Sequence, residues 1–158
     1  MQAGIMVETT GLDFAKIAAG CDLAEERYRP TCYQGIGTYV SGTTVREPAQ
    51  AIIECSKGQL EYQPWCFIGV VKNFIDVTAN LEDGLSFCAK VGLESNRVAC
   101  YVAVGEQLSV LQGNTLERDK YCQQVAPEAR AACRFGAGLT DEPPRGLPNP
   151  AWFRRPVD

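Results

Sequence analysis

Three observations predict an all-α fold: an α-solenoid of four disulfide-stapled two-helix hairpins, about 34 residues per repeat, with a Pro-rich C-terminal tail. The first is the cysteine ruler. Cysteines fall at 21, 32, 55, 66, 88, 100, 122 and 133, so successive gaps are 11, 23, 11, 22, 12, 22 and 11. The second is the setting of the later cysteine of each pair. It is followed by Tyr33-Gln34-Gly35-Ile36, Phe67-Ile68-Gly69-Val70, Tyr101-Val102-Ala103-Val104 and Arg134-Phe135-Gly136-Ala137: usually an aromatic, then any residue, a small residue, and an aliphatic or alanine. The third is a recurring start signal, Thr10 before Asp13, Thr44 before Glu47, Asn80 before Asp83 and Asn114 before Glu117, which stays in register with the cysteines. A capping side chain with an acid three residues on satisfies orphan N–H groups and suits the positive helix start. Units therefore run about 10–43, 44–78, 79–113 and 114–138, giving a helical repeat domain over 1–138 and a tail over 139–158.

The first helix of each unit is expected at about 12–24, 46–58, 81–92 and 116–125. The second is expected at about 30–41, 64–77, 97–112 and 130–138. Pro30 and Pro64 suit a first helical turn, where the missing N–H is not needed. Apolar residues at one, four and eight past the cysteine (Tyr33, Ile36, Val40; Phe67, Val70, Phe74; Tyr101, Val104, Leu108) form one helical stripe. The small residue at cysteine plus three (Gly35, Gly69, Ala103, Gly136) is a poor helix former when it is glycine, so close approach of a neighbouring helix is its expected purpose. Turns are expected at Ser41-Gly42-Thr43-Thr44 and Gln112-Gly113-Asn114. No long alternating Val/Ile/Thr stretch argues for a sheet.

A cysteine late in one helix and another early in the next come together when the helices form a hairpin. The expected bonds are Cys21–Cys32, Cys55–Cys66, Cys88–Cys100 and Cys122–Cys133. Two other readings compete. Zinc tetrathiolate sites use close CxxC-type pairs, which this chain lacks, and eight reduced core cysteines would suit a cytosolic array. Disulfides imply an oxidising compartment: periplasm, cell surface or secretion. Residues 1–20 lack a basic region and a continuous apolar core, so a processed or excised chain is expected.

Composition narrows the function. The 158 residues (17.2 kDa) suit one domain, and 46% hydrophobic with 22% charged residues is neither disordered nor membrane-spanning. A net charge of −4 argues against nucleic acid as a partner and leaves only indirect contact with a membrane. The absence of histidine removes the commonest general base and metal ligand. Gly35-Ile36-Gly37 and Gly136-Ala137-Gly138 do not complete a phosphate-loop pattern. Glu25-Glu26, Glu82-Asp83 and Asp141-Glu142 sit at helix starts or loops, where capping and solvation account for them. Arg29, Arg97 and Arg130, with Gln63 in the second unit, recur before the second helix; pairing with a nearby acid such as Glu26, Glu94 or Glu128 is expected. Tyr28, Tyr62 and Trp65 cluster near the same loops. In the tail, Trp152, Phe153, Arg154 and Arg155 set two aromatics beside two cations, either folding back on the array or docking on a partner.

Over residues 10–138 the period and two-helix unit resemble tetratricopeptide repeats, and the disulfide-stapled hairpin resembles the cysteine-rich Sel1-like repeats. The resemblance implies a scaffold or binding surface without catalysis, and no functional residue carries over from either family. The expectation is thus a non-enzymatic, exported scaffold or protein-interaction module, needing no cofactor or metal, such as an accessory subunit or a segment of a larger array. The alternative is a small-ligand or lipid carrier with a cavity between hairpins.

Overall fold

The computed structural model describes residues 11–44 and 47–153. Among them are eight α-helices and no strand: α1 Phe14–Asp22, α2 Arg29–Thr44, α3 Pro48–Cys55, α4 Gln63–Thr78, α5 Leu81–Cys88, α6 Glu94–Leu111, α7 Thr115–Gln124 and α8 Pro127–Gly136. Single 3₁₀ turns occupy Glu26–Tyr28 and Pro150–Phe153. None of the described helices is long and apolar enough to cross a membrane.

Helix starts follow two of the expected caps. Asn80 accepts from the Glu82 N–H at 3.0 Å, and Asn114 accepts from the Leu116 N–H at 2.8 Å. The first two units differ. Asp13, not Thr10, is the N-cap of α1, accepting from the Lys16 N–H at 3.2 Å, and Thr10 lies outside the described residues. Thr44 ends α2, while Glu47 caps α3 without a side-chain bond and Pro48 opens that helix. The expected turn at 41–44 is helical instead, because Ser41 is fully buried and its hydroxyl accepts from Asn73 Nδ2 of α4 at 3.0 Å. That tertiary contact outweighs the local turn chemistry. Pro127 starts α8 three residues before the expected 130.

The four second helices pack on one another in chain order, α2 on α4, α4 on α6 and α6 on α8. Each first helix from α3 onward touches the second helix before it and the one after it. Successive second helices run in the same direction. Gln63 at the start of α4 accepts from Asn96 at the start of α6 (3.0 Å), and Asp76 near the end of α4 accepts from Gln107 near the end of α6 (2.5 Å). A single apolar core runs through all eight helices, and the central α4 and α6 bury residues on most of their circumference.

Two glycine pairs set the closest crossings. A Cβ on Gly69 would lie 2.1 Å from the Gln34 carbonyl oxygen, and one on Gly37 would lie 2.0 Å from that of Cys66. Gly136 and Gly105 repeat the arrangement, 2.0 Å from the Val102 oxygen and 2.3 Å from the Cys133 oxygen. Cysteine plus three on one helix therefore meets cysteine plus five on the helix before it.

All four expected disulfides are formed: Cys21–Cys32, Cys55–Cys66, Cys88–Cys100 and Cys122–Cys133, with Cα separations of 5.7, 5.5, 5.6 and 5.6 Å. Each joins a first helix to its own second helix, and seven of the eight cysteines are buried. Beyond α8, residues 137–149 carry no helix or strand, yet Pro144 and Leu147 are buried.

Candidate functional site

The site is built where the hairpin loops meet the tail. At the end of each first helix the last carbonyls have no helical partner. In three units an arginine in the first turn of the second helix donates to a carbonyl just past the end of the first. Arg29 Nε donates to the Ala24 oxygen (2.9 Å), Arg97 Nη1 to the Val91 oxygen (2.9 Å), and Arg130 Nε to the Val125 oxygen (3.1 Å). Gln63 does the same in the second unit, donating to the Ser56 and Gly58 oxygens at 3.0 Å. This corrects the expected pairing with Glu26, Glu94 or Glu128: the guanidinium fork is taken up by backbone carbonyls that would otherwise be unsatisfied. The repeated arginine is thus a loop clamp.

The residue one past the second cysteine sets how each hairpin meets its surroundings. Tyr33 donates to Asp22 Oδ1 at 2.8 Å and accepts from the Gln59 N–H at 3.0 Å, tying the first hairpin to the loop of the second. Burial pushes its phenol well above the usual range; Asp22 adds to the shift and the Gln59 N–H opposes it. Phe67 packs against Phe87 with ring centroids 6.3 Å apart. Tyr101 is buried, its phenol raised by burial and by the Glu128 charge. Arg134 instead forms an ion pair with Asp119 of α7.

The tail passes the starts of the second helices in reverse chain order. Pro144 and Arg145 share a cavity of about 260 Å³ with the first turns of α6 and α8. Trp152 then stacks on Tyr62 (centroids 6.0 Å apart, planes 10° apart), and Phe153 stacks on Trp65 (4.8 Å, 8°). Trp65 and Trp152 also meet at 5.8 Å, and Tyr62 stacks on Tyr33 at 5.4 Å. Arg29 sits 5.8 Å from the centre of the Tyr62 ring. Five aromatic rings thus form one continuous pile at the first two hairpins. Trp152 and Phe153 are half-buried in it, while Arg154 and Arg155 lie outside the described residues.

Beside this pile runs a groove of about 770 Å³, lined by Trp65, Trp152, Pro30 and Gln34, with Glu25, Glu26 and Arg27 also at its surface. Glu25 pairs with Arg27 at 3.0 Å on an exposed surface, a contact worth little in water. Tyr28 is exposed and lies under Arg27, with 4.6 Å from cation to ring centre. The groove offers two tryptophan rings and Pro30, with two acids and one arginine among its charged lining.

The other sequence candidates take structural places. Gly35-Ile36-Gly37 lies within α2, and Gly136-Ala137-Gly138 ends α8. Glu82 and Asp83 occupy the first turn of α5, and Asp141 and Glu142 lie in the tail. Among the described residues, no group of three or more His, Cys, Asp or Glu side chains is placed to hold a metal ion. Sequence reading missed the groove because its lining joins residues 25–34 and 65 to residue 152, more than a hundred positions from the first segment; the one signal was the placement of Trp65 and Trp152 outside the helical stripes. Four intramolecular disulfides and no free cysteine are what an oxidising, extracytoplasmic environment produces. Compared with protein-family models, curated proteins and solved structures, the chain matches none.

Proposed function

We propose that this chain is a non-catalytic, disulfide-stapled helical-repeat module that works in the periplasm, at the cell surface or after secretion, and that it binds a protein. What supports a helical-repeat reading is four disulfide-joined helix pairs in cysteine register, with second helices side by side and a core shared among them. The observation that carries the binding reading is the groove between Trp65, Trp152 and the Glu25–Glu26 rim. Its two tryptophans are held in place by stacking, so they lose little freedom when a partner docks, and Trp is favoured at binding hot spots. Exposed acids at the rim select a partner segment that is basic and carries apolar side chains. In this role Trp152 helps to build the groove and Phe153 stacks behind it on Trp65, instead of both reaching out from a free tail.

The test is affinity capture by the intact, oxidised chain from the extracytoplasmic fraction of its source cells, beside the charge-reversed double variant Glu25→Lys with Glu26→Lys. A partner held in stoichiometric amount by the native chain and lost by the variant supports the proposal. Equal capture by both chains, or none by either, contradicts it.

A further inference from the structure

The groove proposed above lies between the starts of α2 and α4, and the cavity of about 260 Å³ that holds Pro144 lies between the starts of α6 and α8. Their walls correspond in the chain. Glu26 and Glu94 each stand six residues before the second cysteine of a pair, and Pro30 and Val98 each stand two before it. On the facing helix, Trp65 and Ala132 each stand one before it. Two seats of related build therefore occur at the helix starts, and the chain itself shows what one of them accepts.

Between α6 and α8 the occupant is a tight turn. The Leu147 N–H donates to the Pro144 carbonyl at 3.2 Å, and Gly146 takes the positive φ of 84° that the turn needs. Pro144 is buried, and Arg145 shares the cavity with Glu94 and Glu128. Gly146 passes so near Glu94 that a Cβ on it would lie 3.4 Å from Oε1. Proline suits this seat for a physical reason. Helix starts offer N–H donors, and proline brings a carbonyl and an apolar ring but no N–H of its own to satisfy. The arginine beside it puts a cation where two carboxylates lie.

Between α2 and α4, among the described residues, the tail contributes only Trp152 to the groove. Trp65 stands there in place of the small Ala132, and the two indoles meet at 5.8 Å with planes 43° apart. Phe153 backs one ring and Tyr62 the other, so both are held in position. Aromatic-lined grooves are a recurring seat for proline-rich segments. Glu25 is paired with Arg27, whereas Glu26, which corresponds to Glu94, forms no ion pair among the described residues. On the reading that this groove binds a protein, we propose that the partner segment it takes is a proline–arginine turn, with the proline ring against Trp65 and Trp152 and the guanidinium toward Glu26. A basic helix would bring the cation but no proline ring, and its carbonyls are spent within the helix.

The experiment titrates the intact, oxidised chain with the acetylated, amidated peptide Glu-Pro-Pro-Arg-Gly-Leu-Pro, the sequence of residues 142–148, and reads the indole N–H signals by NMR. Both of the chain's tryptophans line the groove, so these signals report on it. The expected result is a shift of both, with a Kd below about 1 mM. Replacing the second proline of the peptide by alanine weakens binding about fivefold or more, and replacing its arginine by glutamine about threefold. Glu26→Gln, at an exposed position, weakens the arginine peptide by about twofold to fivefold and leaves the glutamine peptide unchanged. No shift at about 5 mM, or equal binding of the parent and alanine peptides, would overturn the proposal. A lysine- and leucine-rich helical peptide that moves the indoles at lower concentration overturns it too, while keeping the groove as a protein-binding site. No indole shift with either peptide overturns both readings. Binding seen only in a variant lacking residues 154–158 assigns the groove to this chain's own end and equally contradicts a partner segment.

Discussion

Tyr33 and Tyr101, each one residue past a disulfide cysteine, carry different loads. Replacing Tyr33 by Phe removes two hydrogen bonds and leaves the buried side of Asp22 and the Gln59 N–H unanswered, at a cost of about 1–3 kcal/mol. Tyr101→Phe removes a hydroxyl that lacks the counterpart of Asp22, since Ala89 stands there, and should change stability by less than about 0.5 kcal/mol. Urea midpoints of the two variants test the contrast, and equal losses would contradict the account. The same tyrosine governs alkaline stability. Burial raises the folded phenol of Tyr33 above its ordinary value near 10, so the folded chain keeps a proton that the unfolded chain releases. Its contribution is therefore complete below pH ~10 and is lost as pH rises further. Urea midpoints should fall above about pH 10, and Tyr33→Phe should flatten that fall. Glycine gives a second contrast of sign. Gly69→Ala forces a methyl against the Gln34 carbonyl and should cost about 1–3 kcal/mol, whereas Gly42→Ala meets nothing within 4 Å and should stabilise α2 by up to about 1 kcal/mol. Thermal unfolding of both variants checks this, and matching signs would refute it.

At the scale of the helix, caps divide into those that bond and those that merely stand in position. Asn114→Ala removes an acceptor for two N–H groups of α7 and should cost about 1 kcal/mol. Glu47→Ala removes no cap bond from α3 and should cost almost nothing by the same chemical-denaturation measurement. The helices were legible in the sequence because their signals are local: the apolar stripe, Pro30 and Pro64, and the Asn80 and Asn114 caps all act within one turn. The misread places are those where a distant contact decides. Ser41 is helical because Asn73 bonds to it, although Ser-Gly-Thr-Thr reads as a turn. Arg29, Arg97 and Arg130 showed a repeated need for a donor, but the acceptors are backbone carbonyls, which the sequence does not display as residue types. Gly69 and Gly136 announced a close approach, while their partners Gly37 and Gly105, two residues out of register, become visible only when the helices lie side by side. Of the candidate site, Trp65 and Trp152 were recognisable as rings outside the core stripe. Their meeting depends on the path of the tail, which no periodicity encodes.

Over the whole chain, stability comes from a shared core, four short covalent loops and a tail that spans units. Each disulfide closes a loop of 11 or 12 residues, for which the chain-entropy account gives about 3 kcal/mol apiece. The tail buries Pro144 and Leu147 and covers Tyr62 and Trp65 with Trp152 and Phe153. Ending the chain at Glu142 should expose Trp65, shifting its emission to longer wavelength, and cost on the order of 2 kcal/mol in lost apolar burial. An unshifted spectrum and unchanged stability would mean that the strap does not lie across the helix starts. The central claim is that the cysteine period is a set of hairpin staples made in an oxidising compartment. A non-reducing peptide map with a free-thiol count tests it most directly. The account predicts four links, Cys21–Cys32, Cys55–Cys66, Cys88–Cys100 and Cys122–Cys133, and no free thiol. Eight free thiols in the native chain, or links that cross between hairpins, would contradict it.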